Sequence, residues 1–368
     1  MTVLVTGSNG FIGKNLIIRL KEKNIPFISF TRKNSKDELK TLINNASFIF
    51  HLAGENRPKE EKDFESVNAK LTSFICKEIK LANRNIPIIY SSSSQAELDN
   101  SYGRSKYNGE IALKNLAKET GNDVYIYRLP GVFGKWSKAN YNSVVSTFCH
   151  NVANNLPLQV NNPLHELKLV YIDDVISDFL NQMQNLGIKD NYFSVQPEYL
   201  ITLGELAEQI KAFKASRNSL VSERVGIGLT RKLYATYVSY LLPQDFVYSI
   251  STNGDQRGMF AEFFKTKDSG QFSFFTAKPG VTRGGHYHHS KTEKFLVIQG
   301  DARFCFKHII SGETSQIKVS GKELKIVETV PGWAHDITNE GNQDLIALLW
   351  ANEIFDPENP DTISSLLG

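Results

Sequence analysis

The sequence predicts a chain of two domains: an α/β domain with a Rossmann-type, doubly wound parallel sheet, followed by an all-β barrel. In the first half, short apolar runs alternate with longer helical patterns, which is typical of βαβ units. The first apolar run enters a helix through a glycine-rich turn, as a doubly wound sheet requires. Beyond residue 243 the segments are short, rich in aromatic and β-branched side chains and separated by Gly or Pro, which favours antiparallel strands. A chain of 368 residues can bury two cores, and we expect domains at 1–245 and 246–368.

The individual elements follow from the apolar runs and from the residues that interrupt them. In the first domain, strands are expected at residues 2–6, 27–30, 48–52, 86–91 and 124–128. Helices are expected at 11–23, 105–120, 203–215 and 231–241, the last of them stopped by Pro243. In the second domain, strands are expected at 260–264, 271–277, 295–298, 303–307, 324–329 and 344–350.

Composition argues against several classes of partner. A net charge of +3 without a dense Lys/Arg run argues against nucleic acid, and no apolar run reaches the length of a membrane span. The cysteines, Cys76, Cys149 and Cys305, are too few and too scattered for a disulfide framework. An apolar run directly after Met1 leaves no room for a secretory signal. We therefore expect a cytoplasmic protein with reduced thiols.

Gly7, Gly10 and Gly13 have the spacing of a nucleotide-binding turn. The first permits a tight turn, the second lets a pyrophosphate approach the backbone, and the third lets helix and strand pack closely. The helix N-terminus then faces the phosphate charge. The alternative is a turn that is tight for packing alone, but the preceding strand favours a nucleotide cofactor.

The end of the second strand predicts NADPH as that cofactor. Proteins that prefer NAD place Asp or Glu there to hold the ribose hydroxyls. In this chain the stretch after Phe30 contains Arg32 and Lys33 and no acid until Asp37. Two cations suit a 2′-phosphate; the alternative is a solvated basic loop.

Several segments within the first 240 residues resemble the extended short-chain dehydrogenase/reductase family. They are Thr6 to Gly13, His51-Leu52-Ala53-Gly54, Ser91-Ser92-Ser93, Tyr102-x-x-x-Lys106, Arg128 to Gly134 and Val170 to Val175. The resemblance implies that Tyr102, Lys106 and a serine are catalytic. It also implies cofactor contacts at Asn9, Phe11, Ile12, Leu52, Ala53 and Gly54.

The chemistry of Tyr102 and Lys106 supports this assignment. Residues four apart lie on one helix face, and a nearby ammonium group favours tyrosinate, so we expect a lowered pKa for Tyr102. Ser93, with Ser92 as the alternative, would hydrogen-bond the substrate carbonyl oxygen. Without the glycine turn, the same spacing would suit an ordinary exposed helix start.

The last third of the chain resembles the cupin family in two motifs. Gly280-x5-His286-x-His288-x4-Glu293-x6-Gly300 matches the first motif, and Gly332-x2-His335-x3-Asn339 matches the core of the second. The second motif departs at one turn, where Val330 precedes Pro331.

His286, His288, Glu293 and His335 are the expected metal ligands. On an extended strand His286 and His288 share a face, and the other two can reach it from neighbouring strands. Three imidazoles and a carboxylate suit Zn, Ni, Mn or Fe, and zinc is our first expectation. His289 would point away. The alternatives are a polar loop without metal and an epimerase that uses a histidine as base.

A reductase of this type joined to a cupin resembles a family of bifunctional nucleotide-sugar enzymes of capsular polysaccharide synthesis. The shared stretches are 56–58, 134–136, 140–143, 202–205 and 293–297. The resemblance implies a UDP-linked 4-keto-6-deoxy-N-acetylhexosamine as substrate, with C3 epimerised by the cupin and C4 reduced by the other domain. A metal-bound water, Lys294 or a histidine could move the C3 proton.

The candidate sugar-nucleotide contacts are Asn56, Arg57, Arg128 and Asn142. The two arginines rank first because a guanidinium is the natural diphosphate ligand. Gly131 stands where the family has an Asn in its Arg-x-Pro-Asn segment, a departure that affects one substrate contact.

Three other functions compete with this interpretation. The barrel could serve only for dimerisation beside an active reductase, or the fold could be a nucleotide sensor, although sensors commonly lose the Tyr/Lys pair. A sugar-nucleotide 4,6-dehydratase or 4-epimerase would need a longer segment than 94–101 and would tend to keep NAD. In each case the exposed edges of a small β-domain favour a homodimer formed through the barrel.

Overall fold

A computed structural model describes residues 2–58, 60–187 and 192–367 of the chain. It forms two compact units, the first comprising Met1–Ile210 and Arg231–Leu241 and the second comprising Lys211–Thr230 and Leu242–Gly368. The sequence boundary at 245/246 remains our prediction for the functional domains. Across the described ranges, no helix is both long enough and apolar enough to cross a membrane.

The first unit is built from alternating strands and helices. Its strands are β1 (Val3–Thr6), β2 (Phe27–Phe30), β3 (Phe48–His51), β4 (Ile88–Ser93), β5 (Val124–Leu129), β6 (Gly131–Phe133), β7 (Glu166–Tyr171), β8 (Tyr192–Phe193) and β9 (Tyr199–Thr202). The helices of the chain are α1 (Phe11–Glu22), α2 (Lys36–Asn45), α3 (Lys62–Phe64), α4 (Leu71–Ala82), α5 (Ser101–Thr120), α6 (Val144–Ala153), α7 (Ile172–Gln184), α8 (Leu203–Ser219) and α9 (Gly228–Val238). A π-helical turn (Glu65–Lys70) joins α3 to α4, and 3₁₀ turns cover Ser94–Glu97 and Pro243–Phe246.

A parallel six-stranded sheet in the order β2-β1-β3-β4-β5-β8 forms the centre of this unit. Leu16 and Leu20 of α1 and Phe179 of α7 are buried in the core on one face. Side chains of α2, α4 and α5 form the core on the other face, for example Ile43 and Ile79. Strands covered on both faces are fully buried, which explains why they read as continuous apolar runs. The doubly wound fold expected from the sequence is therefore confirmed.

The strand order fixes where a ligand can bind in the first unit. From β1 the chain passes to β2 on one side, and β3 then pairs on the other side of β1. The carboxyl ends of β1 and β3 therefore flank a topological switch point, where open α/β sheets bind their ligands. Gly7 follows β1 and Leu52 follows β3, so both predicted cofactor segments lie at this crevice.

Apart from parts of α8 and α9 and the 3₁₀ turn at Pro243–Phe246, the second unit is a β-structure of two main sheets, as the sequence predicts. Its strands are β10 (Val221–Ser222), β11 (Asn253–Asp255), β12 (Gly258–Thr266), β13 (Gln271–Ala277), β14 (Thr282–Tyr287), β15 (Glu293–Gln299), β16 (Asp301–His308), β17 (Thr314–Ser320), β18 (Ile326–Glu328), β19 (Trp333–Asn339), β20 (Leu345–Ala351) and β21 (Ile363–Ser364). One sheet runs β10-β12-β13-β20-β15-β18, with β11 on β12, and the other runs β17-β16-β19-β14-β21. Phe275 and Phe295 from the first sheet share a core with Phe304 and Ile337 from the second.

Some sequence boundaries were wrong for identifiable reasons. Strand β4 runs on to Ser93, because Ser91, Ser92 and Ser93 pair with β5 although they are polar. Helix α5 begins at Ser101, four residues early, because the Asn100 side chain caps it by accepting the backbone N–H of Gly103. The sequence analysis missed β14, β17 and β19, whose polar and glycine residues hide the strand pattern.

Candidate cofactor and metal sites

The turn from β1 to α1 accepts only glycine at its critical positions. Gly7 has a φ of +67°, and a Cβ there would lie 2.6 Å from the backbone nitrogen of Ala53. A Cβ on Gly13 would lie 2.3 Å from the carbonyl oxygen of Gly7. Gly10 precedes α1 without a side-chain cap, so the first N–H groups of α1 remain available to a phosphate. Ser8 Oγ at this turn is buried and has no hydrogen-bond partner in the described structure. This hydroxyl is therefore available to a polar ligand.

A buried histidine joins the ends of β1 and β3. His51 Nδ1 lies 2.8 Å from Thr6 Oγ1, and its Nε2 lies 2.9 Å from Thr72 Oγ1. Burial, followed by the charge of Lys106, lowers the pKa of His51 to about 3, so this ring is neutral. Thr6 Oγ1 also accepts the backbone N–H of Ala53 at 3.2 Å. The network fixes the backbone of the predicted contact segment Leu52-Ala53-Gly54.

The structure distinguishes between the two candidate serines. Ser92 Oγ donates to Glu110 Oε1 at 2.5 Å and is thereby occupied inside the fold. Ser93 instead interacts with the Tyr102 hydroxyl and lowers its pKa, while its Oγ accepts the backbone N–H of Gln95 at 3.2 Å. The first alternative, Ser93, is therefore the serine placed beside Tyr102.

Lys106, four residues after Tyr102 on α5, is buried. Its Nζ donates to the carbonyl oxygen of Ser91 at 2.8 Å and lies 4.9 Å from the centre of the Tyr90 ring. Burial lowers the pKa of Lys106 to about 8, although the negative charge of Glu110 opposes that shift. At neutral pH the ammonium form therefore predominates.

The expected lowering of the Tyr102 pKa is not found. Burial raises this pKa above its usual value, and the hydrogen bond from Ser93 only partly offsets the effect. The physical reason is that desolvation disfavours tyrosinate, while Lys106 is engaged with Ser91 and Tyr90. Tyr102 is accordingly a neutral phenol, the form that can donate a proton.

The predicted NADPH-selecting residues lie on the surface beside a buried carboxylate. The Arg32 side chain is 80% exposed, and its Nη2 lies 2.5 Å from Glu55 Oε2. Lys33 is exposed as well. Asn34 accepts the N–H of Thr31 at 2.9 Å and so shapes the turn that presents both cations.

Three of the four sugar-nucleotide candidates lie around the same carboxylate. The backbone N–H groups of Asn56 and Arg57 each donate to Glu55 Oε1 at 3.2 Å. Tyr141, the neighbour of Asn142, donates its hydroxyl to that oxygen at 2.8 Å. Arg57 and Asn142 are exposed, while Asn56 Oδ1 is buried and has no hydrogen-bond partner within the described ranges.

Arg128 has different partners from those predicted. Its guanidinium pairs with Glu110 at 2.7 Å, Glu97 at 2.5 Å and the Tyr192 hydroxyl at 2.9 Å. Two carboxylates, one of them fully buried, balance its charge, so the arginine is not free for a diphosphate. We therefore rank Arg57 above Arg128.

The departure at Gly131 has a packing reason. A Cβ there would lie 3.0 Å from Leu169 Cδ2 and 3.1 Å from the Lys168 carbonyl oxygen. A larger side chain therefore needs the Leu169 side chain or the β7 backbone to shift by a small distance, which glycine avoids.

The second unit brings together all four predicted metal ligands. One ligand atom each from His286, His288, Glu293 and His335 lies within 4.8 Å of the others. Strand pairing sets His286 opposite His335, and a bulge at Gly284 and Gly285 precedes His286. Both glycines have positive φ values, and such a bulge re-aims the side chain that follows it. Strand β14 ends at Tyr287, so His288 extends the pattern beyond the strand.

The cluster fits a divalent cation on the evidence of its own hydrogen bonds. Nε2 of His288 and Nε2 of His335 each lie 3.3 Å from Glu293 Oε2. The contact between His335 and Glu293 does not have hydrogen-bond geometry, so the buried Nε2 of His335 has no hydrogen bond in the residues described. Burial alone would raise the pKa of Glu293, but the adjacent imidazoles of His288 and His335 and the charge of Lys291 lower it well below its usual value. An ionised carboxylate beside converging imidazole nitrogens is a donor set for Zn²⁺.

Two residues that the sequence analysis missed support this cluster. Lys291 is buried, with Nζ 3.1 Å from Glu293 Oε1. The Asp361 carboxylate accepts the backbone N–H groups of residues 289–291, and its carbonyl oxygen contacts His288 Nδ1. Lys294, one of the three groups that could move the C3 proton, instead lies exposed beside Glu328, because alternation along β15 turns it away from Glu293. His289 points outward, as expected.

Comparison with known proteins agrees with a nucleotide-cofactor fold joined to a β-domain. Residues 3–192 match the profile described as NAD dependent epimerase/dehydratase family, and residues 253–363 match the polysaccharide biosynthesis C-terminal domain. The chain belongs to the NAD-dependent epimerase/dehydratase family and carries the second domain at its C-terminal end.

Two relatives match the chain over its whole length. A UDP-2-acetamido-2,6-beta-L-arabino-hexul-4-ose reductase from Pseudomonas aeruginosa is 53% identical, covering 100% of this chain and 99% of that protein. The crystal structure of the capsular polysaccharide assembling protein CapF from Staphylococcus aureus superposes with a TM-score of 0.91 at 40% identity, covering 100% of both chains. The Escherichia coli dTDP-4-dehydro-6-deoxyglucose reductase is 25% identical over 60% of this chain and 83% of its own length. The family resemblance predicted from the motifs is confirmed.

Proposed function

We propose that this chain is a bifunctional nucleotide-sugar enzyme. The β-domain epimerises C3 of UDP-2-acetamido-2,6-dideoxy-4-hexulose, and the first domain reduces the C4 ketone with NADPH. The product is UDP-2-acetamido-2,6-dideoxy-L-talose, on the route to UDP-N-acetyl-L-fucosamine for capsule or O-antigen polysaccharide. The observation that carries the proposal is Ser93 beside Tyr102, with a buried Lys106 four residues further along the same helix, in a chain 53% identical to a named 4-ketose reductase.

In the reductive step, Tyr102 acts as the general acid. Its raised pKa keeps the phenol protonated, and it delivers that proton to the C4 oxygen. Ser93 hydrogen-bonds the same oxygen, and the ammonium group of Lys106 lowers the energy of negative charge that develops nearby. Bound NADPH supplies the hydride. Arg32 and Lys33 hold its 2′-phosphate, and the first turn of α1 faces its pyrophosphate.

In the epimerisation step, the C4 ketone acidifies the C3 proton, because its removal gives an enolate. A divalent cation held by His286, His288, Glu293 and His335 would stabilise that charge. Lys291 fixes one oxygen of Glu293 and leaves the other directed at the imidazoles. Epimerisation alone is reversible, so reduction at C4 traps one epimer.

The deciding experiment follows deuterium by NMR. The 4-keto UDP-sugar is incubated with the protein in D₂O, first without and then with NADPH. We expect deuterium at C3 without NADPH and an L-talo product with it. Reduction without exchange at C3 would leave a 4-ketoreductase alone. Absence of both reactions would overturn the proposal.

The NADPH assignment has its own test in Arg32→Ala. Loss of the guanidinium should lower kcat/KM for NADPH and leave that for NADH nearly unchanged, with the ratio falling by about tenfold for one charged hydrogen bond. Arg19→Ala, an exposed arginine at the other end of α1, is the matched control. An unchanged ratio would remove Arg32 from cofactor selection.

The alternative is a reductase whose β-domain serves only for dimerisation. His286→Ala and Glu293→Ala then leave total product formation intact, whereas our proposal expects both variants to stop C3 exchange. The same variants should keep NADPH oxidation with a substrate that already has the final C3 configuration.

We further propose that the chain forms a homodimer through the β-domain. The outward side chains of β13, β20, β15 and β18 form an apolar sheet face, and strand pairing places them side by side: Phe272, Trp350, Phe274, Leu348, Leu296 and Ile326. Of these, Phe272, Leu348 and Ile326 are exposed. Monomeric proteins rarely expose a large contiguous apolar surface, and such a surface therefore marks an interaction site.

Sedimentation of Leu348→Glu tests the dimer. A buried charge at the centre of the face should shift the protein toward monomer, whereas Ile317→Glu, an exposed position on the other sheet, should not. A monomeric wild-type chain would overturn the proposal.

A further inference from the structure

Glu55 lies at the carboxyl end of β3, directly after the Leu52-Ala53-Gly54 segment, and no motif identified from the sequence assigns it a role. Its residue is only 8% exposed, although it stands at the rim of the cofactor crevice. Asn68 fixes its backbone in both directions, accepting its N–H at 2.8 Å and donating to its carbonyl oxygen at 2.9 Å. The side chain therefore projects from a rigid point.

The two carboxylate oxygens serve different segments. Oε2 contacts Arg32 of the predicted NADPH-selecting turn at 2.5 Å. Oε1 accepts the Tyr141 hydroxyl at 2.8 Å, together with the backbone N–H groups of Asn56 and Arg57. Tyr141 belongs to the stretch 134–143, here called the sugar loop, which contains the candidate contact Asn142. One carboxylate thus bonds to the turn proposed for the 2′-phosphate and to the loop proposed for the sugar nucleotide.

We propose that Glu55 is a positioning residue that anchors both the turn proposed to select NADPH and the loop proposed to bind the sugar nucleotide. The proposal rests on the proposed function, because Arg32 and Asn142 take their roles from it. Arg32 offers five N–H donors, and Glu55 occupies one nitrogen while the side chain stays largely exposed. The remaining donors therefore point to solvent from a fixed position, ready for a phosphate.

The charge state of Glu55 agrees with this role. Burial alone would raise the pKa of this carboxylate, but hydrogen bonds from Tyr141, Arg57 and Arg32 outweigh it and lower the pKa below its usual value. The group is therefore ionised at neutral pH and accepts at both oxygens.

Glutamine cannot replace Glu55 in both contacts. Its amide has one acceptor oxygen and one donor NH₂ group, whereas all four partners of the carboxylate are donors. In either orientation of the amide, its NH₂ group faces the donors of one segment, either Arg32 or Tyr141, and that hydrogen bond is lost. Glu55→Asp keeps both acceptors and the charge on a shorter side chain.

The test is a kinetic double-mutant cycle on the full chain with the 4-keto UDP-sugar. We expect Glu55→Gln to raise both the KM for NADPH and the KM for the sugar nucleotide. The product of the two increases should be about tenfold, which corresponds to the loss of one charged hydrogen bond. The value of kcat should change little, because Ser93, Tyr102 and Lys106 are untouched. Arg32→Ala should raise only the NADPH KM, and Tyr141→Phe only the sugar-nucleotide KM.

The double variants separate positioning from general loosening of the structure. In the Arg32→Ala background, Glu55→Gln should no longer raise the NADPH KM, but it should still raise the sugar-nucleotide KM. In the Tyr141→Phe background the pattern should reverse. Glu119→Gln, an exposed glutamate paired with Lys80, is the matched control. Glu55→Asp should restore most of the affinity lost in Glu55→Gln.

Three results would overturn the role of Glu55 as a shared anchor: an effect of Glu55→Gln on one KM alone, no effect on either, or full additivity in both backgrounds. Should Glu55→Gln fail to fold, Glu55→Asp is carried through the same two backgrounds. Calorimetric titration with NADPH and with UDP repeats the cycle without turnover. If the wild-type chain binds NADPH and UDP but does not reduce the 4-keto UDP-sugar, the proposed function is wrong. The titrations of the variants still decide the role of Glu55 in that case.

Discussion

The two candidate sites differ in how their polar groups are satisfied. At the reductase site, Lys106 donates to a backbone carbonyl, Ser92 donates to a buried glutamate, and Ser93 accepts the backbone N–H of Gln95. In the β-domain cluster, His335 Nε2 is buried without a hydrogen bond in the part of the chain described. The reductase side chains are therefore held by the protein itself, whereas the cluster contains a buried nitrogen that no described residue pairs. Buried polar groups cost stability unless they are paired.

The largest effect that tests this comparison is on the chemistry of the reductase site. Tyr102→Phe removes the hydroxyl that donates the proton and keeps the aromatic ring. We therefore expect kcat to fall about 10²- to 10⁴-fold and the melting temperature to stay unchanged. Tyr107→Phe, an exposed position on the same helix, controls for the loss of a hydroxyl. A variant that keeps more than a tenth of wild-type kcat would exclude Tyr102 as the acid.

A second effect concerns the charge balance of the cluster. Lys291→Met leaves the buried Glu293 without its ammonium partner, and breaking such a pair costs roughly 3 kcal/mol of unfolding free energy. If zinc binds the cluster, it replaces the missing charge. We therefore expect a large loss of stability in chelator-treated protein and a small loss with zinc added, measured by thermal unfolding.

Lys294→Met is the control for that experiment, because Lys294 is exposed and pairs with Glu328 outside the cluster. It should cost little with or without zinc. An equal loss for Lys291→Met under both conditions would contradict a cation in the cluster.

The smallest effect sharpens the electrostatics of the reductase site. Because the pKa of Lys106 lies near 8, the ammonium form is lost as pH rises through that value, and kcat should decline with it. Glu110→Gln removes the negative charge that raises this pKa, so the decline should move to lower pH. The pH profile of kcat for the two proteins provides the measurement. A profile that does not move would mean that Lys106 need not be charged.

Local spacing made much of both sites predictable. The glycines of the first turn, the Tyr102–Lys106 pair and the first cupin motif each lie within one or two adjacent elements, so sequence distance reports spatial distance. Residues with distant partners were missed or misjudged for the converse reason. Tyr141 lies 86 residues from Glu55, Asp361 lies 73 residues from His288, and only the fold brings each pair together. Arg128 was misjudged because its two carboxylate partners lie on other elements.

Strand prediction shows the same limit. Strands β1, β3, β4 and β5 of the parallel sheet are buried and read as apolar runs, so sequence found them. Strands β14 and β19 carry His286 and His335 of the cluster, and functional polar residues break the alternation that would have revealed them.

The contact of Asp361 with the segment 288–291 has a consequence for how the protein is made. Every residue that places Tyr102 and Lys106 lies within the first half of the chain, so that site can assemble while synthesis continues, as domains fold in order from the N-terminus. The cluster cannot be completed until residue 361 has left the ribosome. A nascent chain that stalls before residue 361 would therefore hold the Tyr102 and Lys106 site without the Asp361 contacts that support the cluster.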